Sequence, residues 1–538
     1  MISITPQGDI YLCKTPLEND YKNQLTFTNS TTQLQYFNSK IVKTLNNYTY
    51  IKKDNYIKVG YPIDEIIECN YLFYRNNGFT TKYYFCFITN MEYINENCTG
   101  ITFETDVWQT YQFNLTYNPC FVEREHVNDD TVGLHTIPEN LETGDYITQL
   151  TGNDTITDMY YLSDFYIVIA VSEVGLPISI PSGYKQYNGV YSGLLYLCFR
   201  DSENADKYIR NIQSNTTQDV IYAIFIAPAN LCGINSSDWF TVQSGSGITT
   251  SFEMAYIPYT SFQTNMGNIS ITKPSFLDKS YTPRNKKLLC YPYRYLLVSN
   301  NAGTVKEYKY ELFNTTNCEF YIKGAIGVGC SIKMYPNKYN LKTNESIGSE
   351  TLSKLDSIDA NKLPTCSWFN DSFTNYLTAN AVNIPLGITE SAFNTITGAV
   401  IGNPTQMVGG LSGISHQLAS LYEHSLAPLT AKGGANESDL IFAQRNTYNY
   451  YKMSIKEEYA KCIDKYFDMF GYKVNSVKTP NITGRTNWNF VKTIECNFEG
   501  DIPQQHLSLI KQMFNNGVTL WHNPNTMYNY SNTNSIVS

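Results

Sequence analysis

The run YLFYRNNGFTTKYYFCFI, starting at Tyr71, constrains the fold more than any other stretch of this chain. Two aromatic-rich segments flank Asn77-Gly78, a dipeptide that reaches the positive φ values of a tight hairpin turn without strain. Aromatic and β-branched side chains suit a pleated, half-buried surface, so the stretch predicts an antiparallel hairpin. The same kind of signal recurs along the chain. ITFETDVW sets Ile101, Phe103 and Val107 against polar neighbours and predicts a half-buried strand. FYIVIAV, around 167–171, and VIYAIFIA, around 220–227, are continuous apolar runs that predict strands buried on both faces. YRYLLVSNNAGTVKEYKYELF predicts a second hairpin, turning at Asn300-Asn301-Ala302-Gly303. CEFYIKGAIGVGCSIKMYP carries Gly324, Gly327 and Gly329 inside a strand pattern, which predicts a bulge or a closely approached backbone. Stretches rich in Ser, Asn, Gly and Thr at 211–219 and 244–251 predict loops.

The C-terminal part changes period. SIKEEYAKCIDKYFDMFG places Tyr459, Ile463, Tyr466, Phe467 and Phe470 on one helical face, with Gly471 positioned to end the helix. A second helix is expected after Asp501 as N-cap, with Pro503 in its first turn and Asn516-Gly517 at its end. YKVNSV and WNFVKTIECNF between them read as strands. The fold class expected is mainly β, multidomain, with a smaller α+β C-terminal part.

Charge narrows the functional classes. Only 16% of residues are charged and the net charge is -9, with no run of Lys and Arg forming a basic stripe. The electrostatic footprint of a tight nucleic-acid binder is therefore missing, although a mildly negative wall would let a polyanion slide past. The chain has 45 Tyr but 5 Trp, and its polarity comes from neutral side chains. Two readings stand: an AT-rich genome, or neutral aromatic surfaces made for extensive protein contact. Thirteen cysteines are scattered without a C-x-x-C pair, which fits reduced thiols in a cytoplasm better than a disulfide scaffold or a zinc site. MISITPQGDIYLC lacks the features of a signal peptide, and no apolar run reaches the roughly 18 residues of a constitutive membrane helix.

Candidate catalytic and metal sites fall away on spacing. His416 and His424 lie eight apart with Glu423 beside the second, which does not match a helical i, i+4 metal pair. VEREHV brings Glu123, Glu125 and His126 together, but on a strand the histidine points away from the carboxylates. A charged edge or subunit contact is the expected role there. No nucleophile elbow, phosphate-binding loop or dinucleotide fingerprint occurs, and no cofactor is expected.

One stretch stands apart, VNIPLGITESAFNTITGAVIGNPTQMVGGLSGISHQLASLY, beginning at Val382, in which Glu390 is the single formal charge. Met407, Leu411, Ile414, Leu418 and Leu421 keep helical spacing, as do Phe393, Ile396, Val400 and Ile401 before them. Pro385, Pro404 and Pro428 divide the region into pieces near the roughly 20 residues that cross a bilayer. Gly398 and Gly402, and Gly409 and Gly413, sit four apart, a spacing that permits close helix approach in lipid. A buried helical hairpin, a Gly-rich linker, and a stored segment released later toward membrane are the three readings open on composition.

Other stretches carry a resemblance. PLENDYKNQLTFTNSTTQLQYFNSK, ITFETDVWQTYQF followed by FVEREHV, KLLCYPYRYLLVSNNAG, YKVNSVKTPN, NFVKTIECNFEGDI and NNGVTLWH resemble, in the same order, segments of the distal tail tube or tail knob proteins of small short-tailed phages of the phi-29-like group. The match is poor at 131–278. The resemblance implies a hexameric, tube-forming structural protein without catalytic activity, at the virion's distal tail, synthesised in the host cytoplasm. It divides the chain into an N-terminal β tube region 1–130, a variable β-rich region 131–280, a second β tube region 281–375, an apolar helical or irregular loop insertion 376–436, and an α+β region 437–538. The implied partners are the other protomers, the lower collar or proximal tail protein, a tail-tip wall-degrading protein, genomic DNA passing without sequence-specific binding, and the host membrane. The loop would plug the tube and leave it on ejection. Its membrane-active side chains would be Ile384, Leu386, Ile388, Phe393, Ile396, Val400, Ile401, Met407, Val408, Leu411, Ile414, Leu418 and Leu421. Pro385, Gly398, Gly402, Pro404, Gly409, Gly410, Gly413 and Pro428 would supply its flexibility. Protonation or pairing of Glu390 would ease insertion. A receptor- or glycan-binding tail protein is the alternative, with a tail-associated hydrolase third.

Overall fold

The computed structural model describes residues 8–48, 55–76, 81–148, 158–161, 165–172, 186–187, 190–191, 194–215, 221–257, 264–300, 303–327, 329–340, 344–347, 350–353, 355–359, 365–367 and 447–537. Strands dominate. The chain forms two units, one from Met1–Asp145, Tyr281–Tyr293 and Ile455–Ser538, the other from Tyr146–Ser280 and Arg294–Ser454.

The first unit holds a six-stranded antiparallel sheet in the order Ile41–Tyr48, Gly8–Cys13, Tyr71–Asn76, Tyr83–Asn95, Cys98–Thr105, Tyr56–Val59. Its central strands, Gly8–Cys13, Tyr71–Asn76 and the first half of Tyr83–Asn95, bury side chains at successive positions because both faces are covered there. Ile10, Leu12, Leu72, Tyr74 and Cys86 enter one cluster, and Cys13, Tyr71, Phe73, Phe85 and Phe87 enter another on the opposite face. The predicted hairpin is present, with Tyr71 opposite Phe87 and Arg75 opposite Tyr83. The turn expected at Asn77-Gly78 lies outside the described residues. Cross-strand stacking of Tyr74 on Tyr84, at 5.3 Å between centroids, selects this register.

ITFETDVW is a strand only as far as Thr105. Asp106 then accepts hydrogen bonds from Trp108 N at 3.1 Å and Gln109 N at 3.0 Å, and this cap starts the helix Val107–Tyr111. Val107 is buried, as expected, but on a helix.

The second sheet of this unit joins distant parts of the chain, in the order Asn23–Leu25, Val518–Trp521, Trp488–Ile494, Cys120–Glu125, Tyr472–Lys478. The helix Gln504–Asn516 buries Leu507, Ile510, Met513 and Phe514 against Trp108, Val491 and Leu520. It begins at Pro503 with no side-chain cap, so Asp501 does not hold the expected N-cap position. The Pro503 carbonyl accepts from His506 N at 2.9 Å and Leu507 N at 3.0 Å, so the first turn closes on the main chain alone. The helix Glu457–Phe470 buries Ala460, Ile463, Asp464 and Phe467, while Tyr459, Tyr466 and Phe470 are half-buried.

The second unit contains a six-stranded sheet in the order Phe240–Val242, Phe252–Tyr256, Leu194–Phe199, Phe165–Ser172, Ile221–Pro228, Thr365–Ser367. The two apolar runs lie inside it, and Ile167, Val168, Ile169, Ala223, Ile224 and Phe225 are buried on both faces. Arg294–Ser299 pairs with Val305–Tyr308 as the second predicted hairpin. Gly327 and Gly329 are the last pair of a regular hairpin between Asn317–Gly327 and Gly329–Pro336, so they mark its tip and not a bulge. Gly324 does lie under a close approach, because a Cβ there would sit 2.6 Å from Leu231 Cδ1. Residues 211–215, expected as loop, complete the helix Ser202–Asn215. There Asn211 is fully buried and ties Thr249 N to its Oδ1 at 2.6 Å, a tertiary contact that outweighs weak helix propensity.

Candidate functional site

A polar node in the first unit fastens its three chain segments. Cys120–Glu125 is an interior strand, flanked on both sides, so the charged edge expected of Glu123, Glu125 and His126 is not there. Glu123 alone stays partly exposed, 2.8 Å from Lys492. Glu125 is fully buried, accepting from Lys478 and from Asn481 N at 2.8 Å. His126 Nδ1 accepts from Phe490 N at 2.7 Å, so Nε2 carries the proton and donates to Asp468 O at 3.0 Å. Burial, first, and then the Arg485 charge hold its pKa down to about 3.

Around this strand the other two segments close. Glu139 accepts from Arg124, from Lys287 and from Lys473 N at 2.9 Å. The Arg124 guanidinium also donates to Gly471 O at 2.7 Å and lies 5.0 Å from the Tyr466 ring centre. Lys287 sits over the Tyr472 ring, and burial lowers its pKa. Asp464 accepts from Tyr281 OH at 2.7 Å, Arg284 N at 2.8 Å and Asn285 N at 3.0 Å. Its signal in sequence is a carboxylate on the apolar face of a predicted helix, next to Ile463. Glu139, Arg124 and Lys287 have no local signal, because each is an ordinary charged residue until distant segments meet. In this arrangement the charges pair with one another, so the node fastens chain segments and is not poised for proton transfer.

A second buried group makes stability depend on pH. Asp106 caps its helix and accepts from Tyr71 OH at 2.9 Å, yet complete burial raises its pKa to about 7. Between about pH 4 and 7 the folded chain keeps a proton that the unfolded chain has released, so this group's contribution falls as pH rises. Asp106→Asn keeps the cap and removes the titration. Relative to the unsubstituted protein, its urea stability is expected to improve from pH 5 to pH 8, by up to about 1.4 kcal/mol per unit. A difference constant with pH would contradict the assignment. His126 and His522, held near 3 and near 4 by burial, act oppositely, lowering stability as pH falls below the usual histidine value.

All of the loop candidates, from Ile384, Pro385 and Glu390 through Met407 to Leu421 and Pro428, lie outside the described residues, as do His416 and His424. Among the described residues no helix is long and apolar enough to cross a membrane, and no group of His, Cys, Asp and Glu is placed to hold a metal ion.

The fold is that of a phage tail knob protein. It superposes on the structure of the bacteriophage C1 tail knob protein, gp12, with a TM-score of 0.58 over 98% of this chain and 100% of that one, at 17% identity. Residues 10–116 match the caudoviral major tail protein N-terminus. Residues 257–535, more than half of the chain, match the C-terminal domain of the Bacillus phage phi29 tail knob protein gp9, and the chain belongs to that family. The tail knob proteins gp9 of Bacillus phages phi29 and B103 are 26% and 25% identical, over 98% and 94% of this chain and 98% and 95% of their own. It is a structural protein of the virion tail, not an enzyme.

Proposed function

We propose that this tail knob protein forms the hexameric distal tube through which the genome leaves, and that residues 382–426 plug the tube and enter the host cell membrane on ejection. The observation that carries the reading is the place of this apolar, nearly uncharged segment in a chain of otherwise polar composition and tail knob family. Its flanks are the strands Thr365–Ser367 and Thr447–Ile455, so removing the segment spares the elements on either side. A net charge of -9 without a basic stripe supports a conduit with low affinity for phosphate. The other protomers, the proximal tail or lower collar protein and a wall-degrading tip protein complete the set of protein partners.

The glycan-binding alternative has less support. An open concavity of about 650 Å³ in the second unit is lined by Tyr166 and Arg200. Arg200 is already stacked 4.2 Å from the Trp239 ring centre and lies 3.5 Å from Glu253, so its charge is partly spent on neighbours.

Liposome leakage tests the proposal. The full chain is expected to release an entrapped dye, at neutral or mildly acidic pH, and a variant lacking 382–426 to lose most of that release. Equal leakage from both would remove the membrane role.

A further inference from the structure

Residues 523–537 form a strap over the start of the strand Trp488–Ile494 in the first unit. Every residue of the strap is partly or largely exposed, Tyr528 by 44% and Val537 by 52%. Beneath it two indoles are fully buried, Trp488 and Trp521, with ring centres 5.1 Å apart. The Tyr530 ring closes over both, at 5.2 Å and 5.0 Å. Asn534 supplies the central attachment. Its Oδ1 accepts from Asn487 N at 3.0 Å and Trp488 N at 3.2 Å, and its Nδ2 donates to Trp488 O at 2.7 Å. At Trp488 this side-chain amide takes the place of a neighbouring strand's peptide group. Close by, Thr486 N donates to Ser535 O and Val537 N to Gly484 O, both at 3.0 Å.

We infer that residues 523–537 open as a unit while the sheet beneath stays folded, with Asn534 as the latch. The inference is independent of the ring and plug reading above. Local openings are drawn from segments with few buried apolar contacts and exposed hydrogen bonds. Met527 and Tyr530 pack the strap against the cluster around Trp488 and Trp521, and both are only half-buried. Tyr528 also holds φ at 66°, a conformation costly for a bulky side chain, and opening relieves that strain.

Both sides of the seam keep their own bonds when it parts. Within the strap, Thr526 N donates to Asn523 O at 3.1 Å, Asn529 N to Thr526 O at 3.0 Å and Ser531 N to Asn529 Oδ1 at 3.1 Å. The seat is fastened by contacts that do not involve the strap. His522 N donates to Asn487 O at 2.8 Å, Gly484 N to Asn481 Oδ1 at 2.9 Å and Arg485 Nε to Val127 O at 3.0 Å. Breaking the Asn534 bonds therefore frees the strap without unfastening the sheet. Opening uncovers the side of the Trp488–Trp521 pair that Tyr530 shields, together with the main-chain edge at 486–488. The strap is a removable cover over an aromatic, strand-like edge.

The test is native-state hydrogen exchange on the full chain, at single-amide resolution and over a series of low urea concentrations. The amides of 486–488 and 537 are expected to exchange at least about tenfold faster than those of 490–493. Their rates should depend little on urea, because a local opening exposes little surface. Asn534→Ala removes the three side-chain bonds of the latch. It is expected to speed exchange at 486–488 by at least about tenfold more and to leave 490–493 unchanged. Exchange at 486–488 with the rate and urea dependence of 490–493 overturns the inference, since the segment then opens only with the sheet. An Asn534→Ala variant that speeds both regions equally overturns it too. If that variant fails to fold, the unsubstituted chain decides the question.

Discussion

Gly471→Ala is expected to destabilise the first unit by on the order of 4 kcal/mol, a loss reached by few single substitutions. Gly471 has φ 62° and ψ -154°, a backbone region that is essentially glycine-only and costs another residue about 1–3 kcal/mol. A Cβ would then stand 2.1 Å from Glu125 O and 2.5 Å from His126 N. Both are main-chain atoms at an interior strand, so no rotamer change relieves the overlap. The strand that starts at Tyr472 would have to move off Cys120–Glu125, and the Arg124 bond to Gly471 O would lengthen with it. Calorimetry should show the transition of this unit falling by roughly 10 °C. Gly303→Ala provides the contrast. Gly303 has φ 91°, and a methyl added there would meet nothing within 4 Å, so only backbone strain of about 1–2 kcal/mol is expected. Equal losses at the two positions would show that the Glu125 approach is unimportant.

The second large effect is expected at Glu139. Its side chain is fully buried between Arg124, 11% exposed, and Lys287, 3% exposed. Glu139→Ala leaves two cations in a low-dielectric site, and breaking a buried pair from one side costs about 3–5 kcal/mol. Most of that loss comes from the stranded charge and not from the missing attraction. Removing the lysine charge as well should therefore recover part of it: Glu139→Ala with Lys287→Met is expected to regain at least about half, as measured by urea denaturation. High salt should change little, since the pair is shielded from solvent ions. A loss within about 0.5 kcal/mol for Glu139→Ala, the size of a surface substitution, would refute the description of the node.

Comparison of particular elements shows where local pattern suffices. Helix Glu457–Phe470 is legible because Ile463 and Phe467 repeat on one face and Gly471 ends it. Both hairpins are legible because their strands are adjacent in sequence. Asp106 is hard to read as a helix cap because Val107 also continues the alternation of Ile101 and Phe103, and the two patterns overlap there. The role of Glu125 and His126 escapes the sequence for a different reason. Their alternation on a strand is real, but an edge strand and an interior strand have the same local sequence period.

Short windows of sequence are enough for the strand-rich class, the principal helices, the low charge that disfavours a nucleic-acid clamp, and the kinship with tail knob proteins. In such windows side-chain period and turn chemistry act within a few residues. The assembled fold alone settles which strands are interior and which charges are buried together. Arg124 meets Gly471 across 347 residues of chain, and Glu139 meets Lys287 across 148. Contacts at such separations leave no periodic mark near either partner. They are chosen by the packing of whole sheets, where each pairing is favourable only after the others have closed the chain.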